Sequence, residues 1–359
     1  MKNVNEDFMY KYMNANAPTG YEYKGQKVWI DYVKDNVDEI FTDPYGSAVG
    51  IINKNAEFKV VIEAHADEIS WAVNYITPNG LIYVARNGGS DYDIAPGMRG
   101  YIHLDNCEKI LGVFGWSPVH IKREPKDYKI PNIENVIFDC GCESDKEVLE
   151  KGVHPGSIIT FEADLQKINN GRYYACRAFD NRGGGIIIAE VARKLKENNI
   201  KLPFGLYICN CVQEEVGLRG AEMIAQRIKP NIAICTDVCH DTQTPFYNKI
   251  KHSDIKCGNG PVIAYSPAIH HNVRKLITDT AKENNIKYQE EFCSGRTGTD
   301  TDAFTYQNGG TPSALISLPL KYMHTTVEMI HSEDLDNVIT LMYETIKKIT
   351  PDFNISYFK

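Results

Sequence analysis

The sequence predicts an α/β fold in which a mainly parallel sheet covered by helices carries an inserted small β-barrel-like domain. Three observations predict it. Apolar strand-like runs alternate with helical periodicity in residues 1–70 and again in 166–359, the rhythm of a sheet covered on both faces. Residues 71–165 break that rhythm and show short alternating runs punctuated by glycine and proline, the texture of a small β domain. At 359 residues the chain is long enough for two such domains, at about 150 residues each.

The elements follow in order. Residues 24–37 read as an amphipathic helix, with Val28, Trp29, Tyr32, Val33 and Val37 on one stripe. Strands follow at 47–52 and 59–64, and the second contains Val60, Val61 and Ile62 in succession, as expected for a strand buried on both faces. The inserted segment contains Pro78-Asn79-Gly80, Gly88-Gly89, Pro96-Gly97 and Pro155-Gly156, and one helical patch at 145–151. Beyond it, helices are expected at 185–196, 221–228, 268–283 and 334–349. Strands are expected at 205–212, 232–236 and 313–318.

Composition narrows the function classes. Hydrophobic residues make up 43% and charged residues 24%, and the net charge is -8. With no long Lys/Arg run, nucleic acid and anionic membranes are not expected partners. The first ten residues are polar, and no apolar stretch has the length of a signal peptide or membrane span. The chain is therefore expected in the cytoplasm, where its ten cysteines would stay reduced.

Five short motifs sit at predicted strand ends or strand-to-helix turns, where open α/β sheets place their sites. His65-Ala66-Asp67-Glu68 ends an apolar strand. His65 is a metal-ligand type, and Asp67, two residues on, is placed to orient its imidazole. Asp180, in Phe179-Asp180-Asn181-Arg182-Gly183, enters a glycine-rich helix start. Its two oxygens suit a bridge between cations, although an N-cap would explain it equally. Glu214 and Glu215 are adjacent carboxylates after a buried strand. They are either neutralised by a cation or proton or are solvated helix-start residues. Asp237 ends the strand at 232–236, and His324 follows a late strand. Alone, a capping aspartate and a hydrogen-bonded histidine account for these two. Together the set of His and carboxylate donors suits zinc, cobalt or manganese.

The joint pattern of H-x-D-E, D-N-R-x-G, E-E-x-G-x-R-G-A, a strand-ending Asp and a late Y-x-H-x-x-x-E resembles the tetrahedral aminopeptidase family of dinuclear metallopeptidases. Its members are labelled glutamyl or leucyl aminopeptidase and often cellulase. Ala17-Pro18-Thr19-Gly20, Gly260-Pro261 and Thr301-Asp302-Ala303 support the resemblance, which spans nearly the whole chain. It implies a metal-dependent aminopeptidase that removes N-terminal residues from short peptides, using two divalent ions (zinc or cobalt, with manganese also suited). It further implies that His65 and Asp237 hold one ion, Glu215 and His324 hold the other, and Asp180 bridges them. Glu214 would be the general base, and Asp67 would hold the His65 ring. The inserted domain would serve dimerisation and assembly, with dimers building a dodecamer, and His120 resembles a family position near an assembly contact or the substrate opening.

Some residues depart from the family pattern. Lys321 stands where the family commonly has Arg, residues 90–96 form an unusually acidic loop, Cys239 and His240 follow Asp237, and Asp300 adds a carboxylate before Thr301-Asp302-Ala303. Rival readings are a deacylase or carboxypeptidase with the same metal core, a two-carboxylate glycosidase, and a non-enzymatic metal-binding scaffold.

Overall fold

The computed structural model describes residues 2–358, which fold as two compact units. The larger comprises the segment ending at Glu68, Leu165–Met323 and the segment starting at Val327; the smaller comprises Ile69–Asp164 and His324–Thr326.

The chain enters the larger unit through α1 (Glu6–Asn14) and α2 (Tyr23–Val33). The first of these helices is not anticipated from the polar N-terminus. The Asn5 side chain caps it by accepting from the Phe8 amide at 3.1 Å, and Phe8, Met9, Tyr12 and Met13 form its buried face. Its apolar content is compressed into two i, i+1 pairs one turn apart, which gives little periodic signal in a nine-residue segment. The helix expected at 24–37 ends at Val33 and tightens into a 3-10 turn, Lys34–Asn36. Strands β1 (Glu39–Thr42), β2 (Ala48–Ile52) and β3 (Lys59–His65) follow.

The smaller unit is a closed six-stranded antiparallel barrel. Its strands are β4 (Ser70–Ile76), β5 (Ile82–Asn87), β6 (Arg99–His103), β7 (Lys109–Gly115), β8 (Ile137–Asp139) and β9 (Ile158–Phe161), in the order β4-β5-β8-β7-β6-β9. Closure leaves no edge strand unpaired. The interior is aromatic: Trp71, Phe114, Phe138 and Phe161 are buried and in ring contact. A Cβ at Gly112 would lie 2.4 Å from the Phe138 ring, so this ring requires glycine opposite it. The short helix α3 (Asp145–Glu150) starts at Ser144, whose hydroxyl accepts from the Glu147 amide.

The chain returns to the larger unit with β10 (Gln166–Ile168), β11 (Tyr173–Cys176), α4 (Phe179–Glu197), β12 (Gly205–Cys211), α5 (Arg219–Ile228), β13 (Ile232–His240) and α6 (Lys249–His252). It continues through β14 (Val262–Tyr265), α7 (His271–Glu283), β15 (Gln289–Phe292), α8 (Asp300–Thr305), β16 (Ser313–Lys321), β17 (Glu328–His331) and α9 (Ser332–Ile346). The large sheet runs β1-β2-β12-β3-β13-β16-β17-β11-β10, with β14 and β15 attached beside β16. Its centre, β12-β3-β13-β16, is parallel. The other pairs along the strand order, and β14 against β16, are antiparallel, whereas β14 and β15 pair in parallel, so the sheet is mixed around a parallel centre. The central strands are almost wholly buried, and α4 buries Ile186, Ile187, Ile188, Val191 and Leu195. Among the described residues no helix is long and apolar enough to cross a membrane.

Candidate metal centre

The parallel strands end close together, and their last residues carry the acidic and imidazole groups. β3 pairs with β13 only up to Glu63 opposite Cys235. Past that point the two strands part, and the gap holds His65 from β3 and Asp237 from β13, with His65 Nε2 3.9 Å from Asp237 Oδ1. β12 stays paired with β3 to the end, Cys211 opposite His65. The chain then turns sharply through Gln213, at φ 58, which presents Glu214 and Glu215.

Asp180 arrives from the other direction. Ala178 is left-handed at φ 63, and the helix is irregular at Asp180 and Asn181 (ψ 108 and 36); the bond between these two is a cis peptide. The Asn181 amide group donates to the Thr236 carbonyl at 2.8 Å, and its Oδ1 accepts from the Gly184 amide at 3.1 Å. This side chain ties the start of α4 to β13 beside Asp237. The Asp180 amide itself donates to Glu328 at 3.1 Å.

His65 is the hub. Its Nε2 lies 3.2 Å from Asp180 Oδ1 and 3.8 Å from Glu214 Oε2. Its Nδ1 faces Asp67 Oδ1 at 3.3 Å. Asp67 is fully buried and accepts from the Glu214 amide at 3.0 Å, the Glu215 amide at 3.2 Å and the Thr19 hydroxyl at 3.0 Å. One carboxylate therefore orients the imidazole and the turn carrying both glutamates. Two sets of donor atoms lie within 4.8 Å of one another, His65–Asp180–Glu215 and His65–Glu214–Asp237.

The electrostatics fit a cation. Burial pushes the Glu214 carboxyl up to about 9, against the pull of His65 and with the help of Asp300, Glu215 and Asp180. Burial likewise holds Asp237 well above the carboxylate range. For His65, burial opposes the charged ring, but Glu214, Asp180 and Asp67 outweigh it and hold the pKa well above its ordinary value. Protons thus take the place that positive charge must fill, and divalent ions compete with protons for such ligands. The hard oxygen and imidazole donors suit zinc, cobalt or manganese.

The structure brings together His65, Asp67, Asp180, Glu214, Glu215 and Asp237. His324 groups with the smaller unit, left-handed at φ 59, with its Nδ1 3.2 Å from the Gly89 carbonyl oxygen. His120 lies in the 3-10 turn Val119–Ile121 of that unit.

The motifs do not reveal the supporting shell. Arg177 pairs with buried Glu68 at 2.8 Å, and the buried Arg182 lies 3.7 Å from the same carboxylate. Arg182 also donates to the Tyr12 and Ala15 carbonyls, and Glu68 accepts from the Ala17 amide at 2.6 Å. This network locks the loop after β3 to the N-terminal helices. Glu22 is the other hidden member. It accepts from the Gly20 amide at 2.7 Å and the Gln213 amide at 3.2 Å, and burial together with Asp67 raises it to about 8. The available signal is weak: Glu22 and Arg177 sit beside motif residues without belonging to a spaced pattern.

Known proteins share both this sequence and this fold. The sequence profile of the M42 glutamyl aminopeptidase family matches residues 46–341. The lysyl aminopeptidase of Pyrococcus furiosus is 31% identical over 351 residues, covering 97% of this chain and 98% of that protein. The crystal structure of a TET aminopeptidase from a marine-sediment Thaumarchaeota archaeon superposes with a TM-score of 0.92 at 28% identity, covering 98% of each chain. The TET1 peptidase of Pyrococcus horikoshii, which can assemble into a tetrahedron or a large octahedral shell, has a TM-score of 0.84 at 26% identity, covering 96% of this chain and 99% of that one. The profile match and full-length similarity establish that this chain, a hydrolase acting on peptide bonds, belongs to the M42 glutamyl aminopeptidase family.

Proposed function

We propose that the chain is a cytoplasmic dinuclear metalloaminopeptidase that trims short peptides from a free N-terminus, with Glu214 as general base. One observation carries the reading: Glu214 is the largely buried carboxyl, its side chain 12% exposed, that lies 3.8 Å from His65 Nε2 while its own amide donates to Asp67. His65 and Asp237 would hold one ion, Glu215 the other, and Asp180 would bridge; His324 is assigned to the second ion on the sequence motif alone. Bound divalent ions would supply Lewis-acid polarisation of the scissile carbonyl and acidify water.

The chain's own residues do the rest. Glu214 takes a proton from the attacking water and delivers it to the departing amine. Its raised affinity for protons suits both halves of that task. Asp67 keeps His65 oriented and the Glu214–Glu215 turn in place. The surrounding carboxylates attract the substrate's α-ammonium, favouring removal of a terminal residue over internal cleavage. The ten free thiols support the cytoplasmic placement. Assembly through the barrel unit, with dimers combining into a dodecamer, is supported by the family likeness.

The test uses chromogenic aminoacyl amides with and without an N-acyl block, each run with zinc, cobalt or manganese. Free-amine substrates should be cleaved and blocked ones spared; the reverse would favour a deacylase. Glu214→Gln should retain both ions and lose roughly two to four orders of magnitude in rate. Full activity in that variant rejects the base assignment.

A further inference from the structure

We propose that Glu63, Cys211 and Asp300 form a third, internal divalent-cation site that is separate from the dinuclear centre and has a thiolate among its ligands. The three residues come from different elements: Glu63 from β3, Cys211 from the last position of β12, and Asp300 from the first turn of α8. One donor atom from each lies within 4.8 Å of the others. Cys211 is fully buried, and Glu63 and Asp300 are 1% and 2% exposed.

The second observation concerns the carboxyl oxygens. All four, Oε1 and Oε2 of Glu63 and Oδ1 and Oδ2 of Asp300, are sealed from solvent, and none accepts a well-formed hydrogen bond. The two groups face each other, with Cys235 against Glu63 from the neighbouring strand. No arginine or lysine forms an ion pair with either group among the described residues, whereas the buried Glu68 is matched by Arg177 and Arg182. Two buried carboxyls without such a partner are costly. A divalent cation offsets their two charges, and the Cys211 thiol releases its proton to solvent as the metal binds. A mixed carboxylate and thiolate set suits zinc or cobalt and excludes calcium and magnesium.

The donor type distinguishes this site from the dinuclear one, whose proposed ligands are imidazole and carboxylate only. Protein produced in cobalt-supplemented medium is expected to hold a third metal equivalent and to show thiolate-to-cobalt charge-transfer absorption. Cys211→Ser should abolish that absorption. Asp300→Asn should lose the third equivalent and keep the other two. Wild-type protein with no more than two equivalents and no thiolate band overturns the proposal and leaves the carboxyl pair sharing a proton. A band that survives Cys211→Ser overturns it as well. The band reports only on the thiol, so failure of the dinuclear reading leaves this test intact.

Discussion

At the scale of the residue, the proposed centre depends on Asp67. It contacts the imidazole on one side and two backbone amides and a hydroxyl on the other. Asp67→Asn keeps the shape but removes the charge that fixes the ring, so metal affinity should fall about 10- to 100-fold, read by competition with a chromogenic chelator. The acids around His65 make a second prediction. Glu214 rises from the ordinary 4.5 to about 9 in the fold, and His65 also holds its proton above its ordinary value. Both shifts mean that the metal-free folded chain binds more protons than the unfolded chain, so its stability falls as pH rises through that window. Thermal melts of chelator-treated protein should therefore drop between about pH 5 and pH 9, and saturating metal should remove most of that slope. A flat profile would show that these groups are not coupled to folding. The sequence exposes the liganding types only as a set: each histidine or carboxylate alone reads as a cap or a hydrogen-bonded side chain, and their recurrence at successive strand ends points to a metal. It hides Glu63, which reads as the tail of an apolar run, because a single buried acid leaves no periodic trace.

At the scale of the element, α4 positions Asp180 through glycine. Gly184 packs so closely that a Cβ would meet Asn181 Oδ1 at 2.3 Å and the Ala64 Cβ at 2.8 Å. Gly184→Ala should push Asn181 off the Thr236 carbonyl and displace Asp180, while the apolar face of α4 remains buried. Metal occupancy should then fall more than stability does, measured by elemental analysis beside a melt; unchanged occupancy would show that Asn181 does not set the position of Asp180. The same element shows what a sequence conveys about structure. Residues 185–196 carry a clear apolar face and read as a helix. Its irregular first turn does not, because it is built from a left-handed alanine and tertiary hydrogen bonds rather than propensity. Likewise β3, β12, β13 and β16 are legible as apolar runs, whereas β1, β10 and β15 are exposed or half-buried flanking strands of three or four residues and lack that signal.

At the scale of the molecule, the barrel unit carries apolar surface that its own core does not use. Val119, Ile121, Tyr128 and Ile130 are exposed, Ile121 at 63% and Ile130 at 78%. They lie within twelve successive residues between β7 and β8. Trp71, Phe114 and Phe138 already fill the barrel interior, so these side chains cannot be accommodated inward. Exposed apolar side chains grouped in one segment, here interleaved with Lys122, Arg123, Lys126 and Lys129, are costly in water and are the kind of surface that another protein covers. If copies of this chain cover it, as the proposed assembly requires, charge placed there should separate them. The double variant Ile121→Asp, Ile130→Asp should sediment as a smaller species than the wild type at the same concentration. The donor atoms of the metal centre that lie in the larger unit are untouched by these changes, so the variant should keep its bound metal. An unchanged sedimentation coefficient would remove this segment from the assembly contacts and return the question to the rest of the barrel surface.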